Sequence, residues 1–288
     1  MGVLLRRRRS PHVQKLEICI ITQEKQEMEN KESIKIGSSP LDFMNEITYG
    51  NLALHTTIDG GLGSGKTGLA LEILRQHHGN GGGFCYFSPR EDLAVLDAVH
   101  EIDAKLIVRR QITDTGTLHG ETTEAVTAFI NGGNNLFITR AGFSSGPSSP
   151  SAVLEAMSKS AQETRQKDRN DVPRILVIDD ANFVSDASMG KLLAIARRAH
   201  VAVITVFNYA IQHPATVAQS NVRILMGGLD HESVAMWQKL TGISIAPYTI
   251  PMGQAWVLLP DSDVPAIHEV WNGSRTRQIK ASHTELPN

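Results

Sequence analysis

The clearest chemistry in the chain lies in the run Gly60, Gly61, Leu62, Gly63, Ser64, Gly65, Lys66 and Thr67. Gly60, Gly65, Lys66 and Thr67 fit the spacing G-x-x-x-x-G-K-[ST] of a phosphate-binding P-loop. Glycines at these places let backbone N–H groups turn inward around phosphate oxygens, and a following helix aims its positive end at the same anion. Gly68, next in the chain, completes the candidate phosphate contacts. Lys66 would reach the β- and γ-phosphates of a nucleoside triphosphate, and the Thr67 hydroxyl would hold Mg2+. Such a loop needs an acidic partner at the end of a nearby strand. Ile175 to Ile178, four apolar residues followed by Asp179 and Asp180, supplies one. Asp179 is the candidate Mg2+ group, acting through water, and Asp180 the candidate general base.

The elements around these residues follow from periodicity. Leu52–Ile58 is an apolar, β-branched run that reads as a strand entering the loop, and Leu69, Ala70, Ile73 and Leu74 recur at helical spacing behind it. Further strands are expected at Phe84–Ser88, Leu106–Val108, Leu136–Thr139, Ile175–Ile178, Val201–Phe207 and Val222–Met226, with amphipathic stretches at Thr122–Ile130, Ala152–Thr164 and Ser188–Ala199 between them. Strands apolar on both faces and separated by helices predict an α/β fold with a mainly parallel sheet covered on two sides. Gln254–Leu259 and Ala266–Trp271, flanking Pro260–Asp263, read as a closing hairpin. Residues 1–38, with Arg6–Arg9 and a Gln-, Glu- and Lys-rich stretch, read as a tail ending near Gly37-Ser38-Ser39-Pro40; residues 39–271 form one domain and 272–288 a polar tail. Gly142–Ser151 reads as an exposed loop.

From Ile175 through Leu240 the pattern resembles the FtsK–HerA superfamily of RecA-like motor ATPases: a hydrophobic strand ending in acids, a helix ending in Arg197-Arg198, then a strand ending in the polar Asn208. Phe84 to Asp92 is similar to the strand and turn that follow the P-loop helix in conjugation coupling proteins, and the likeness spans roughly Asn51 to Leu259. The resemblance implies a RecA-like P-loop ATPase using ATP and Mg2+. It gives Lys66 and Thr67 to phosphate and metal, and makes Asp179 the Walker B aspartate. Asp180 takes the place of the family's catalytic Glu, Arg197 that of the arginine finger reaching a neighbouring subunit, with Arg198 competing, and Asn208 that of a Gln sensor. Asp for Glu and Asn for Gln each shorten the side chain by one methylene, which implies slow or gated hydrolysis. Ser88 is a third departure, where coupling proteins often carry Asp. Arg197 and Arg198 also suit a helix C-terminus on dipole grounds alone.

Composition narrows the classes. The 288 residues are 41% hydrophobic and 20% charged with a net charge of −2, ordinary for a globular chain and without a global nucleic-acid signature. Two cysteines, Cys19 and Cys85, make no disulfide framework and suit a reducing cytoplasm. No apolar run is long enough to span a bilayer, so any membrane link is expected through a partner protein of a secretion or packaging machine. The eleven histidines show no metal-binding spacing, and His77-His78 reads as a C-terminal dipole pair before a glycine turn. Trp237, Trp256 and Trp271 read as core or subunit-interface residues, and Arg165, Lys167, Arg169 and Arg174 as a solvated or DNA-facing basic stretch. No guanine-reading Asn-Lys-x-Asp, no ABC-type signature before Ile175 and no kinase lid is present. The leading expectation is a homo-oligomer, a hexameric ring, that drives DNA translocation, conjugative transfer or packaging. The alternative is a nucleotide-dependent regulatory or assembly switch with weak hydrolysis.

Overall fold

The computed structural model describes residues 33–38, 46–88, 93–102, 105–109, 124–133, 135–140, 172–242, 250–251, 253–259 and 266–270. Residues 1–32 of the expected 1–38 tail, the expected tail at 272–288, the loop at 142–151, the helix at 152–164 and the basic stretch 165–169 lie outside these residues, as do the turns at 89–92 and 260–263, Cys19 and Trp271.

The apolar runs become strands because their side chains find cover on both faces. The chain passes through β1 (Ser33–Lys35), β2 (Gly37–Ser38), β3 (Glu46–Thr48), helix α1 (Tyr49–Leu52), β4 (Thr56–Asp59), α2 (Lys66–Gly79), β5 (Phe84–Ser88), α3 (Leu93–Glu101) and β6 (Lys105–Arg109). Helix α4 (124–130), β7 (Leu136–Arg140), β8 (Arg174–Ile178), α5 (Asp186–Arg198), β9 (Val201–Phe207), α6 (Pro214–Gln219), β10 (Val222–Met226), α7 (His231–Thr241), β11 (Gln254–Leu258) and β12 (Ala266–Val270) follow. β4, β5 and β9 are buried along their whole length. In β8, Ile175 and Val177 enter one core while Leu176 and Ile178 enter the other, as the two-residue strand period requires. The first core is closed by α2, α3 and the β1–β3 ribbon, the second by α4, α5, α6 and α7.

The main sheet has the order β2-β12-β11-β10-β4-β9-β8-β5-β7-β6. From β10 to β6 all neighbours are parallel. β11, β12 and β2 add an antiparallel edge, so the expected closing hairpin is present and joins the sheet. This is the mainly parallel, helix-flanked α/β architecture that the apolar runs predict. β9 lies between β4 and β8, and it separates the P-loop strand from the strand that ends in Asp179.

Two local expectations change. Leu52–Ile58 is not one strand: Thr48 Oγ1 accepts from Asn51 N–H at 3.2 Å and caps the short helix α1, the chain turns at His55 with φ 69°, and β4 begins at Thr56. A short apolar run has no period that separates strand from helix, and the capping threonine decides. Residues 33–38, assigned by composition to the tail, are strands. Ile34 and Ile36 are buried, and Lys35 exchanges two backbone hydrogen bonds with the Gln76 amide of α2, at 2.9 and 2.8 Å.

Candidate active site

The P-loop leaves β4 at its carboxyl edge, where parallel sheets gather ligands. Two glycines seat it against the end of β10. A Cβ on Gly61 would lie 2.3 Å from the Gly228 carbonyl oxygen, and one on Gly60 would lie 2.9 Å from Met226 Cβ. Gly61 N–H donates to Gly227 O at 3.0 Å. Gly63 and Gly65 take positive φ of 73° and 98°, and Gly65 is the N-cap of α2, offering no side-chain cap to the first-turn N–H groups. Those groups and the dipole behind them point where an anion would sit.

Lys66 is buried, and its ammonium donates to Gly60 O at 2.8 Å, Gly61 O at 2.6 Å and Ser64 Oγ at 3.4 Å. Burial lowers its pKa, opposed by the charges of Asp59, Asp179 and Asp180. Thr67 Oγ1 donates to Asp179 Oδ2 at 3.0 Å, so the two expected metal groups stand side by side. Tyr86 Oη donates to the same oxygen at 2.6 Å, and Asp179 Oδ1 accepts from Asp180 N–H at 2.9 Å. Burial raises the pKa of Asp179 in spite of these donors. An alcohol and a carboxylate oxygen this close form a donor set suited to Mg2+, which takes few protein oxygens and fills the rest with phosphate and water. Among the described residues no group of three or more His, Cys, Asp or Glu side chains gathers as a separate metal site.

Asp180 turns the chain in the left-handed region, φ 51° and ψ 47°, and Asn208 Nδ2 donates to its Oδ1 at 3.1 Å. The two side chains therefore reach each other across the end of the sheet. Asn182 frames the pair: its Oδ1 accepts from Asn208 N–H, and its Nδ2 donates to Tyr209 O, both at 3.0 Å. Leu62, Phe183 and Tyr209 stand exposed around this edge.

Lys66, Thr67, Asp179, Asp180 and Asn208 are thus brought together, and Arg197 and Arg198 are not. Both arginines are exposed at the end of α5, ahead of β9, whereas Asn208 follows that strand. A strand of this length places them about 20 Å from the loop. Arg197 donates to Gln219 O within its own chain.

Several residues here escape the sequence patterns. Tyr86 depends on pairing between β5 and β8, and Asn182 has no motif. Asp59, an acid at the end of an apolar run like Asp179, carried a readable signal: it is fully buried at the base of the loop. His77 is not a charged dipole partner. It is buried, its Nε2–H donates to Gly83 O at 3.1 Å, its Nδ1 accepts from Tyr49 Oη at 3.2 Å, and burial pushes its pKa down to about 4. Trp237 is a fully buried core residue, and Cys85 is a buried free thiol whose pKa burial pushes up to about 12.

Neither a family model nor a curated protein sequence matches the chain. Solved structures do. The genome packaging NTPase B204 from Sulfolobus turreted icosahedral virus 2, in complex with ATP-gammaS, aligns with a TM-score of 0.54 at 11% identity, over 77% of this chain and 99% of its own. The bacterial conjugative coupling protein TrwB aligns with a TM-score of 0.61 at 12% identity, over 83% and 89%, and has also been solved with ADP and Mg2+. VirB4 of Thermoanaerobacter pseudethanolicus aligns with a TM-score of 0.58 at 11% identity, over 83% and 96%. The resemblance holds at the level of fold: the chain has a RecA-like P-loop fold with a mainly parallel sheet flanked by helices, as these packaging and conjugation proteins do.

Proposed function

We propose that this chain is a Mg2+-dependent P-loop ATPase that works as a ring-forming motor on DNA, in transfer or packaging. The observation that carries the reading is a continuous set of contacts at the sheet's carboxyl edge: Thr67 to Asp179, Asp179 to the Asp180 backbone, and Asp180 to Asn208. Lys66 and the loop N–H groups hold the β- and γ-phosphates, and Lys66 exchanges one loop carbonyl for a phosphate oxygen. Thr67, with Asp179 through water, would hold Mg2+, which would supply positive charge against the phosphoryl oxygens. Asp180 accepts the proton of the attacking water, and Asn208 orients its carboxylate. Arg197 lies too far from its own loop to serve it, so its role belongs to the site of an adjoining copy, with Arg198 as competitor. The ligands of the similar structures, ATP-gammaS and ADP with Mg2+, support the choice of nucleotide and metal. Among the described residues no helix is long and apolar enough to cross a membrane. The motor proposed here is cytoplasmic, with any membrane link made through a partner protein.

The hydrogen bond from Asn208 to Asp180 also favours a second reading. A base whose oxygen is already engaged abstracts a proton slowly, as a nucleotide-dependent switch requires. The deciding experiment is ATP turnover across protein concentration, with and without double- and single-stranded DNA, using Lys66→Ala as the blank. The motor requires turnover that rises with both DNA and concentration, and loss of at least about 100-fold in the blank. Tight ATP binding with flat, near-blank turnover selects the switch.

A further inference from the structure

Asp59 ends β4 directly before the P-loop and has no role in the chemistry above. Its side chain is fully buried, where a carboxylate persists only with hydrogen-bond partners. Three donors converge on it from three segments. Oδ1 accepts from Gly60 N–H at 3.0 Å and from Ala210 N–H at 3.3 Å, and Oδ2 accepts from the Trp237 indole Nε1–H at 2.7 Å. Gly60 opens the P-loop, Ala210 lies in the turn that follows Asn208, and Trp237 is in α7. We propose that Asp59 is a positioning residue that fastens the mouth of the P-loop to the Asn208 turn, so that phosphate cradle and sensor amide hold one geometry. This inference rests on the nucleotide-site reading above.

The connection is short on both sides. Gly60 gives its N–H to Asp59 and its carbonyl to the Lys66 ammonium, so a shift at Asp59 reaches the lysine through one residue. Ala210 is two residues from Asn208, whose amide holds Asp180. Asp180, Asn208, Ala210, Asp59, Gly60 and Lys66 thereby form one path through backbone and side chain from the candidate base to the candidate phosphate lysine. On the other side of the loop, Gly61 is tied to Gly227, so the loop's first two residues are held from both neighbouring strands. Burial pushes the Asp59 pKa up to about 6 against the pull of its three donors and of Lys66, a cost this position bears for the connection. An apolar residue here would leave two backbone N–H groups and an indole N–H unpaired.

The test uses a conflict between donors. Asp59→Asn keeps a carbonyl oxygen for Gly60 and Ala210 but turns an amide NH2 onto the Trp237 N–H, and Trp237→Phe removes that conflict. Wild type, both single variants and the double variant are compared by ATP turnover, ATPγS binding and thermal melting. Asp59→Asn is expected to lower kcat about tenfold or more while the Kd for ATPγS stays within about threefold, and the double variant to return to within about threefold of Trp237→Phe. An Asp59→Asn kcat within about twofold of wild type overturns the proposal, as does a double variant that recovers its melting temperature and not its turnover. Should Asp59→Asn fail to fold, Asp59→Ala in the Trp237→Phe background takes its place: about tenfold below Trp237→Phe supports the role, and within about twofold overturns it. Wild type alone reports on the underlying reading. Absence of Lys66-dependent ATPγS binding there overturns both, whereas normal wild-type binding and turnover with an unaffected Asp59→Asn overturns only this inference.

Discussion

At the scale of single residues, Asp180 and Asn208 are each one methylene shorter than the residues the fold's relatives are expected to carry, yet they meet at 3.1 Å. A carboxamide that donates to a carboxylate fixes its orientation, and in the proposed hydrolysis the two groups would act on one water as a unit. Residues acting as a unit give non-additive losses. Asp180→Ala and Asn208→Ala are each expected to lower kcat by roughly 10- to 100-fold, with the double variant no worse than the weaker single variant. Steady-state turnover of the four proteins measures this. Losses that multiply would mean the two side chains act independently and the hydrogen bond is incidental to catalysis.

At the scale of elements, His77 joins three pieces: the end of α2, Tyr49 of α1 and the Gly83 carbonyl ahead of β5. The packing is close enough that a Cβ on Gly82 would lie 2.1 Å from the imidazole. Both ring nitrogens are used by the neutral form, with Nε2 donating and Nδ1 accepting, and burial holds the pKa at about 4. The unfolded chain, with a histidine pKa of about 6.5, therefore binds more protons between those values. Stability is full at neutral pH and is lost as pH falls through the unfolded value toward the folded one. His77→Gln removes this dependence. Urea unfolding at pH 7 and pH 5 should show the wild type losing about 2 kcal/mol more than the variant across that interval. Equal losses would mean the imidazole is protonated in the folded protein.

At the scale of the whole molecule, the sheet divides the candidate site residues between two edges. The loop, Asp179, Asp180 and Asn208 lie at the carboxyl edge, and Arg197 and Arg198 at the other, where α5 hands the chain to β9. If Arg197 serves an adjoining copy as proposed, a second copy meeting the first head to tail would complete the site, an arrangement that closes into a ring when its rotation permits. Lys66→Ala lacks the phosphate lysine and Arg197→Ala lacks the arginine, so each is expected to be inactive alone. In an equimolar mixture, interfaces that pair an intact loop with an intact arginine should restore measurable turnover, on the order of a quarter of wild type if copies mix at random. A mixture no more active than its components would remove Arg197 from the site and leave it with the helix-end role that its charge alone explains.

Much of this protein is legible in the chain itself. The P-loop spacing, the apolar run into Asp179 and the double-faced strands are local patterns, and local patterns carry the backbone preferences and periods that make them. The short run Leu52–Ile58 misleads for the same reason: with no period to read, a threonine cap turned its first part into helix. What only the tertiary structure decides is which strand ends become neighbours. The insertion of β9 between β4 and β8 delivers Asn208 to Asp180, the pairing of β5 with β8 brings Tyr86 to Asp179 across 93 positions, and Trp237 reaches Asp59 across 178. Those meetings depend on sheet order and register, which are set by the sum of many distant packing choices and are written in no single stretch of sequence.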